Sequence, residues 1–388
     1  MPIRSGLERI LAECPPDLAG RKVGLLTNHA GLDGDMLPGP VVLQKAGRVR
    51  LTRLFAPEHG LYGEVPAGAV VQDRTDPVTG LDVVSLYGPG RSADPSMVDG
   101  LDAVLVDLPD IGCRYYTLLG TTMSLLKACR EAGVRVVVLD RPNPLGGRVE
   151  GKRSVRASYR SLVGAVAAPI RHGLTLGELC VLAAREVGAS DSVQVVPMEG
   201  WNRSMRWPDL GLSWVPLSPN ANTYEMAQLY PATCLIEGTN LSEGRGTASP
   251  FVQVGAPWLD AFALARDLAG RAGEGVWFRP ALFVPTSSKH TGQVCQGVMI
   301  HIDPKRDVDV MPAGLHLLAA VMRHPESEFL LARGDDHHRW PSFDLLSGDD
   351  QLRLDLCNGR PVEEIVAEWN RDLADWTEVR ATVSLYPD

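Results

Sequence analysis

Most features that identify a sequence at first sight are missing from this one, and each absence removes a class of function. Its seven cysteines (positions 14, 113, 129, 180, 234, 295 and 357) are odd in number, scattered, and never paired as CxxC. That usage supports neither a zinc knuckle nor a disulfide framework, and it fits a reducing compartment. Met1 to Ile10 contain no apolar core and no small-residue cleavage site, so no secretory leader is read there and a cytoplasmic location is expected. Apolar runs such as Val134–Leu139 are far too short to cross a bilayer, so no membrane partner is expected. Lys and Arg form no dense stripe and the formal charge is -9, which argues against nucleic acid as a partner. A small ligand with one carboxylate stays compatible, because a single arginine can hold it. GxGxxG, the P-loop, GxSxG and HExxH are all absent. The nine histidines do not fall at metal-ligand spacings, so neither a metal nor an organic cofactor is expected.

What is present is the composition of an ordinary globular protein: 45% hydrophobic and 22% charged residues, with 29 prolines and 39 glycines spread between apolar runs. A chain of 388 residues suits two domains rather than one core. Short β-branched runs alternate with helical stretches through the first half, which predicts an α/β fold: a mostly parallel sheet with helices on both faces. The expected strands are Lys22–Leu26, Leu51–Phe55, Asp82–Leu86, Ala103–Asp107, Val134–Leu139 and Val193–Met198. Helices are expected at Pro40–Ala46, Tyr116–Ala132 and Thr175–Val187, the last opening on Thr175 with Glu178 three residues on, a capping-box spacing. Trp201–Pro257 is dense in tryptophan, proline and glycine without clean periodicity, and is expected to wrap the binding edge of the sheet. After about Trp258 the pattern changes to amphipathic helices (Trp258–Ala269, Ala313–Arg323, Val362–Leu373) around short strands such as Gly297–Ile302. The expected division is therefore a domain over 1–257 and a smaller α+β domain over 258–388.

Four predicted strands end in polar, ionisable residues, and ligands of open α/β sheets bind outside those carboxyl ends. The segments are Thr27-Asn28-His29-Ala30-Gly31, Pro57-Glu58-His59-Gly60, Asp107-Leu108-Pro109-Asp110 and Asp140-Arg141-Pro142-Asn143. Glu58 stands between a proline and glycine-rich turn residues; a half-buried carboxyl there can have its pKa raised and act as a general acid. The plain alternative is a helix cap at Glu58 and a loop filler at His59. Asp107 and Asp110, with Arg114 and Tyr116 just beyond, can bind sugar hydroxyls or a carboxylate, or form a loop staple. Asp140, Arg141 and Asn143 crowd a proline-bounded turn that suits ligand binding or a buried Asp–Arg pair. His172 and Asn220 occupy further loop motifs. Glu237, Glu243 and Arg245 share a glycine-rich loop with several hydroxyls, the texture of a binding loop, although either glutamate can also serve merely to pair with Arg245.

These motifs together resemble a family long known only as a domain of unknown function and now associated with exo-acting β-N-acetylmuramidases. The resemblance rests on PEHGLYG (57–63), SLYG (85–88), RYYT (114–117), LDRPNPLGG (139–147), RHGLTLGEL (171–179), SPN (218–220), LIEGTNLSEGRGT (235–247) and GAPW (255–258), with SLY (384–386) near the end. It implies a Rossmann-like domain with a smaller partner domain, and release of N-acetylmuramic acid from the non-reducing end of peptidoglycan-derived glycans. Two departures stand out: Leu108-Pro109 before Asp110, where the family usually has a glutamine, and Ala221-Asn222-Thr223 without an expected proline.

The chemistry expected of such an enzyme needs an acid for the leaving oxygen and a second carboxylate or a substrate acetamido group. Glu58 is expected as the acid and Glu237 or Glu243 as its partner, with Asp110 and Asp140 in reserve, and one of Arg114, Arg141 or Arg245 as the contact for the lactyl carboxylate of the sugar. Asn28, His59, Asp107, Asp110, Arg114, Tyr116, Asp140, Arg141, Asn143, His172, Asn220 and Arg245 are expected to bind a small amino sugar or muropeptide. The competing readings are a sugar-binding protein without turnover and a metal-assisted hydrolase using Glu58, His59 and the aspartates.

Overall fold

The computed structural model describes residues 3–88, 92–332 and 340–388, and the chain divides into two compact units. Unit 1 comprises 1–148, 173–219 and 378–388; unit 2 comprises 149–172 and 220–377. The chain therefore passes from one unit to the other four times, at 148/149, 172/173, 219/220 and 377/378.

Unit 1 is built on a seven-stranded sheet. Its strands are β1 (Lys22–Thr27), β2 (Arg50–Ala56), β3 (Arg74–Thr75), β4 (Asp82–Ser85), β5 (Ala103–Asp107), β6 (Arg135–Leu139) and β7 (Val193–Val196). They lie in the order β3-β4-β2-β1-β5-β6-β7, and all neighbours pair parallel except the short edge strand β3. Without β3, the six parallel strands follow the order third, second, first, fourth, fifth, sixth of a doubly wound Rossmann sheet. Every residue of β5 is buried, as expected of a parallel strand covered on both faces. Among the described residues four α-helices lie wholly within this unit: α1 (Gly6–Ala12), α2 (Gly39–Ala46), α3 (Thr117–Ala132) and α4 (Leu176–Glu186). Because β1-α2-β2 and β5-α3-β6 wind in opposite directions along the sheet, right-handed crossovers place α2 and α3 on opposite faces.

The strand order reverses between β1 and β5, so their carboxyl ends diverge into the crevice where ligands of such sheets bind. Thr27 Oγ1 at the end of β1 donates to the Asp107 carbonyl at the end of β5, 2.9 Å away, and closes the floor of that crevice.

Unit 2 contains a three-stranded antiparallel sheet in the order β8-β10-β9, formed by β8 (Gln253–Ala256), β9 (Val276–Phe283) and β10 (Cys295–Ile302). Its α-helices are α5 (Tyr224–Thr233), α6 (Ala261–Leu268), α7 (Met311–Val321), α8 (Ser342–Ser347), α9 (Gln351–Cys357) and α10 (Val362–Asp372), while α11 (Trp376–Val383) begins in unit 2 and has most of its length in unit 1. The close approach of β8 and β10 depends on Gly297, where a Cβ would sit 2.0 Å from the Val254 carbonyl oxygen. The tract 201–257 is more ordered than its composition predicts. Its second half builds α5 and β8, and α5 escaped notice because Pro231 sits inside it and buried residues surround it almost fully. No described helix is long and apolar enough to cross a membrane.

Candidate active site

Glu58 follows β2 in a turn closed by the Gly60 amide, which donates to the Pro57 carbonyl at 3.1 Å. His59 takes a left-handed backbone (φ 73°), a conformation that costs a non-glycine residue roughly 1–2 kcal/mol. Val65 holds it there: its amide donates to the His59 carbonyl at 3.1 Å, and its carbonyl lies 3.0 Å from His59 Nδ1. Glu58 is 8% exposed. One carboxyl oxygen accepts from the Gly68 amide at 3.0 Å, the other from the Thr117 hydroxyl at 2.8 Å, at the first residue of α3. A hydroxyl can donate or accept, so Thr117 can pair with Glu58 whether or not the carboxyl carries a proton.

His29, at the end of β1, was not nominated from the sequence, which singled out its neighbour Asn28. Its ring packs where a Gly63 Cβ would stand, 2.5 Å from His29 Cε1, so Gly63 (φ 73°) is required on two counts. Burial lowers the His29 pKa despite the Pro216 carbonyl that raises it. Nε2 lies 2.7 Å from that carbonyl and must carry the ring proton to donate to it. Asn28 is turned inward: its amide donates to the Leu217 carbonyl at 3.2 Å, and its oxygen accepts from the Ala30 amide at 3.1 Å.

Asp107 is fully buried and forms a forked pair with Arg141, Nε to Oδ1 at 2.5 Å and Nη2 to Oδ2 at 2.9 Å. Arg141 Nη2 also reaches the Leu32 carbonyl at 2.8 Å, pinning the loop after β1. Asp110 receives the Gly112 amide at 2.7 Å. Arg114 and Tyr116 are buried beyond it, and α3 starts from Tyr116. Asn143 spans two loops, donating to the Leu174 carbonyl and accepting from the Leu145 amide, each at 2.9 Å. Asp110 and Arg141 line a cavity of about 290 Å³ outside the ends of β1, β5 and β6, together with Trp207 and Trp214.

Asp140, also nominated as a ligand contact, is fully buried and engaged inside unit 1. It accepts from Thr175 Oγ1 and Tyr386 Oη, both at 2.6 Å, and from the Gly177 amide at 2.9 Å. Burial pushes its carboxyl up to about 6, against the pull of those donors. A native pKa above the unfolded one means that the folded state holds the proton more tightly, so this group's contribution is full at low pH and is lost as pH rises from about 4 to about 6. The stability of the wild type minus that of Asp140→Asn should therefore fall by about 3 kcal/mol across that interval. A difference in urea unfolding free energy that stays constant with pH would overturn this assignment.

In unit 2, Glu237, Glu243 and Arg245 do come together. Arg245 Nε stands 3.0 Å from Glu237 and 3.1 Å from Glu243. Lys289, which no local pattern singled out, closes the cluster: its Nζ lies 2.9 Å from Glu243 and donates to the Ile236, Glu237 and Leu241 carbonyls. The two glutamates differ in access, with side-chain exposures of 29% for Glu237 and 2% for Glu243. Asn220 is half-buried at the start of a unit 2 segment. His172 is fully buried, and its carbonyl accepts from Trp376 Nε1 at 3.1 Å. Among the described residues no three His, Cys, Asp or Glu side chains cluster as metal ligands would.

Two family models match along the chain: exo-β-N-acetylmuramidase NamZ, N-terminal, over residues 23–225, and its C-terminal counterpart over 228–386. The chain belongs to the NamZ exo-β-N-acetylmuramidase family. A peptidoglycan β-N-acetylmuramidase NamZ from Bacillus subtilis (strain 168) is 36% identical over 386 residues, covering 99% of this chain and 91% of the relative. Two solved structures of DUF1343 family proteins from Bacteroides fragilis share the NamZ-family fold seen here. One superposes with a TM-score of 0.86 at 32% identity, covering 99% of each chain, and the other with 0.77 at 28% identity, covering both chains fully.

Proposed function

We propose that this protein is an exo-acting β-N-acetylmuramidase that releases terminal N-acetylmuramic acid from the non-reducing end of peptidoglycan-derived glycans. The observation that carries this reading is family membership along nearly the whole chain, both family models being matched in order. Glu58 is the proposed general acid, because its turn holds a nearly buried carboxyl against a hydroxyl partner that serves both protonation states. It protonates the glycosidic oxygen as the bond to the anomeric carbon breaks. Glu237 is the proposed second carboxylate, being the reachable member of its pair. The 2-acetamido group of the substrate is the alternative, since it can attack the anomeric carbon itself. Arg245, placed between the two glutamates, has most of its charge committed; Arg141, with one side of its guanidinium still open, is better suited to the lactyl carboxylate.

The decisive experiment is release of N-acetylmuramic acid from a chromogenic β-N-acetylmuramide and from a short peptidoglycan fragment, with and without exhaustive chelation. Turnover in both conditions supports the proposal. Measurable ligand binding without turnover would make this a sugar-binding protein, and loss of activity on chelation would make it a metal-assisted hydrolase. A cytoplasmic role on imported wall fragments is proposed from the cysteines, all seven of which are free thiols. Recovery of the protein mainly from the culture medium would contradict it.

A further inference from the structure

The hairpin loop that joins β9 to β10, residues 284–294, lies along the segment carrying Glu237, Glu243 and Arg245, all of it within unit 2. Thr286 donates to the Gly246 carbonyl twice, from its amide at 2.9 Å and its hydroxyl at 2.8 Å. The two backbones are so close that a Cβ on Gly246 would stand 2.4 Å from the Ser287 amide nitrogen. His290 Nε2 lies 2.7 Å from the Asn240 carbonyl. Between these contacts the loop is strained: Ser288 (φ 68°) and His290 (φ 56°) are both left-handed without being glycine. Such conformations persist only where the surroundings over-determine them, and they collect at functional sites. The residue they flank, Lys289, sends its side chain into the Glu237–Glu243 segment.

An ammonium has three protons to give, and Lys289 Nζ has four oxygens in reach. They are the Leu241 carbonyl at 2.7 Å, Glu243 Oε2 at 2.9 Å, the Ile236 carbonyl at 3.1 Å and the Glu237 carbonyl at 3.3 Å. Residues 236 and 237 close the 3₁₀ turn Cys234–Gly238, whose last carbonyls favour a cation. Arg245 shows why a second cation is needed. Its Nε stands 3.0 Å from Glu237 Oε1 and 3.1 Å from Glu243 Oε1, so two carboxylates compete for one guanidinium. Lys289, on the other oxygen of Glu243, matches two anions with two cations. Glu243 is then held from both sides, and Arg245 keeps Nη2 on Glu237 at 2.5 Å. Without the ammonium, the buried Glu243 carboxylate would draw on Arg245 alone and pull the guanidinium off Glu237.

We propose that Lys289 is a positioning residue for Glu237: by saturating Glu243 it leaves Arg245 to fix the direction of the Glu237 carboxylate. This rests on the reading of Glu237 as the second carboxylate of the hydrolysis. Lys289 touches no reacting atom in this role, so its removal acts on kcat and leaves KM nearly as it was.

The test uses the full chain and a chromogenic β-N-acetylmuramide. Lys289→Met should lower kcat about twentyfold while KM changes less than about threefold. Adding Glu243→Gln removes the carboxylate that competes for Arg245, so the double variant should regain about fivefold in kcat over the single one. Lys289→Ala supplies a second measurement should the methionine variant not fold. The Lys289 side chain is 19% exposed, so the track it vacates opens to solvent. Propylammonium, which matches the removed atoms, should enter it and raise both the melting temperature and kcat saturably. The neutral isostere 1-propanol should do neither. A loss carried by KM alone, a double variant no more active than the single one, or equal effects of the amine and the alcohol would each overturn the proposal. Failure of the Glu237 reading would show differently: Glu237→Gln would turn over like the wild type, while propylammonium still stabilised Lys289→Ala.

Discussion

Replacing Glu58 with glutamine is expected to lower kcat on glycans by a factor of about 10² to 10⁴, with the fold intact. Glutamine is isosteric, so its oxygen can still accept from Gly68 and its amide can donate to Thr117 Oγ1, keeping both hydrogen bonds of the native turn. What it cannot do is give up a proton to the leaving oxygen. The size of the loss should depend on the leaving group. An activated aryl glycoside departs without help, so Glu58→Gln should cost it at least tenfold less than it costs a natural glycan. Equal losses on both substrates would assign Glu58 to substrate positioning. A total loss under about tenfold, or roughly 1.4 kcal/mol, would remove it from the chemistry altogether.

Arg141→Met is expected to produce the largest loss of stability among the nominated residues, about 3–5 kcal/mol. Asp107 has no exposed surface, and its side-chain partner is the Arg141 fork; without it a buried carboxylate is left uncompensated. The loop after β1 is released as well, since Leu32 loses the Nη2 donor. Adding Asp107→Asn should recover part of the loss by removing the stranded charge, and the order of stabilities, wild type above double above single, is read from urea midpoints. If the single variant unfolds within about 1 kcal/mol of the wild type, the pair is a surface-like contact, and a purely ligand-binding role for Arg141 becomes the better account.

The sheet of unit 1 was legible because a buried parallel strand is a compact local signal. The predicted Ala103–Asp107 coincides with β5, and the Thr175–Glu178 spacing forms the capping box of α4. The convergence of strand ends was also readable, because the ends of neighbouring strands share one edge. What occupies each side chain was not. Asp107 and Arg141 lie 34 residues apart, and Asp140 and Tyr386 are 246 residues apart. No periodicity encodes such pairs, so a buried partner and a ligand contact look alike in the sequence. Lys289 escaped for the same reason: it approaches Glu243 from a hairpin loop 46 residues away. The Trp207–Trp214 cavity hid in a tract whose prolines and glycines suppress any repeat.

The four passages of the chain between its units have a consequence for how the protein is made. Unit 1 lacks its last piece until residues 378–388 have left the ribosome. Until then Asp140 lacks its Tyr386 donor, Glu178 lacks the Leu385 amide, and Arg203 lacks Ser384. The Rossmann sheet is thus latched by residues that follow most of unit 2 along the chain, and until they emerge the buried polar network beside α4 is unfinished. This order of assembly ties the finished sheet to the arrival of residues 378–388, after unit 2 has been made.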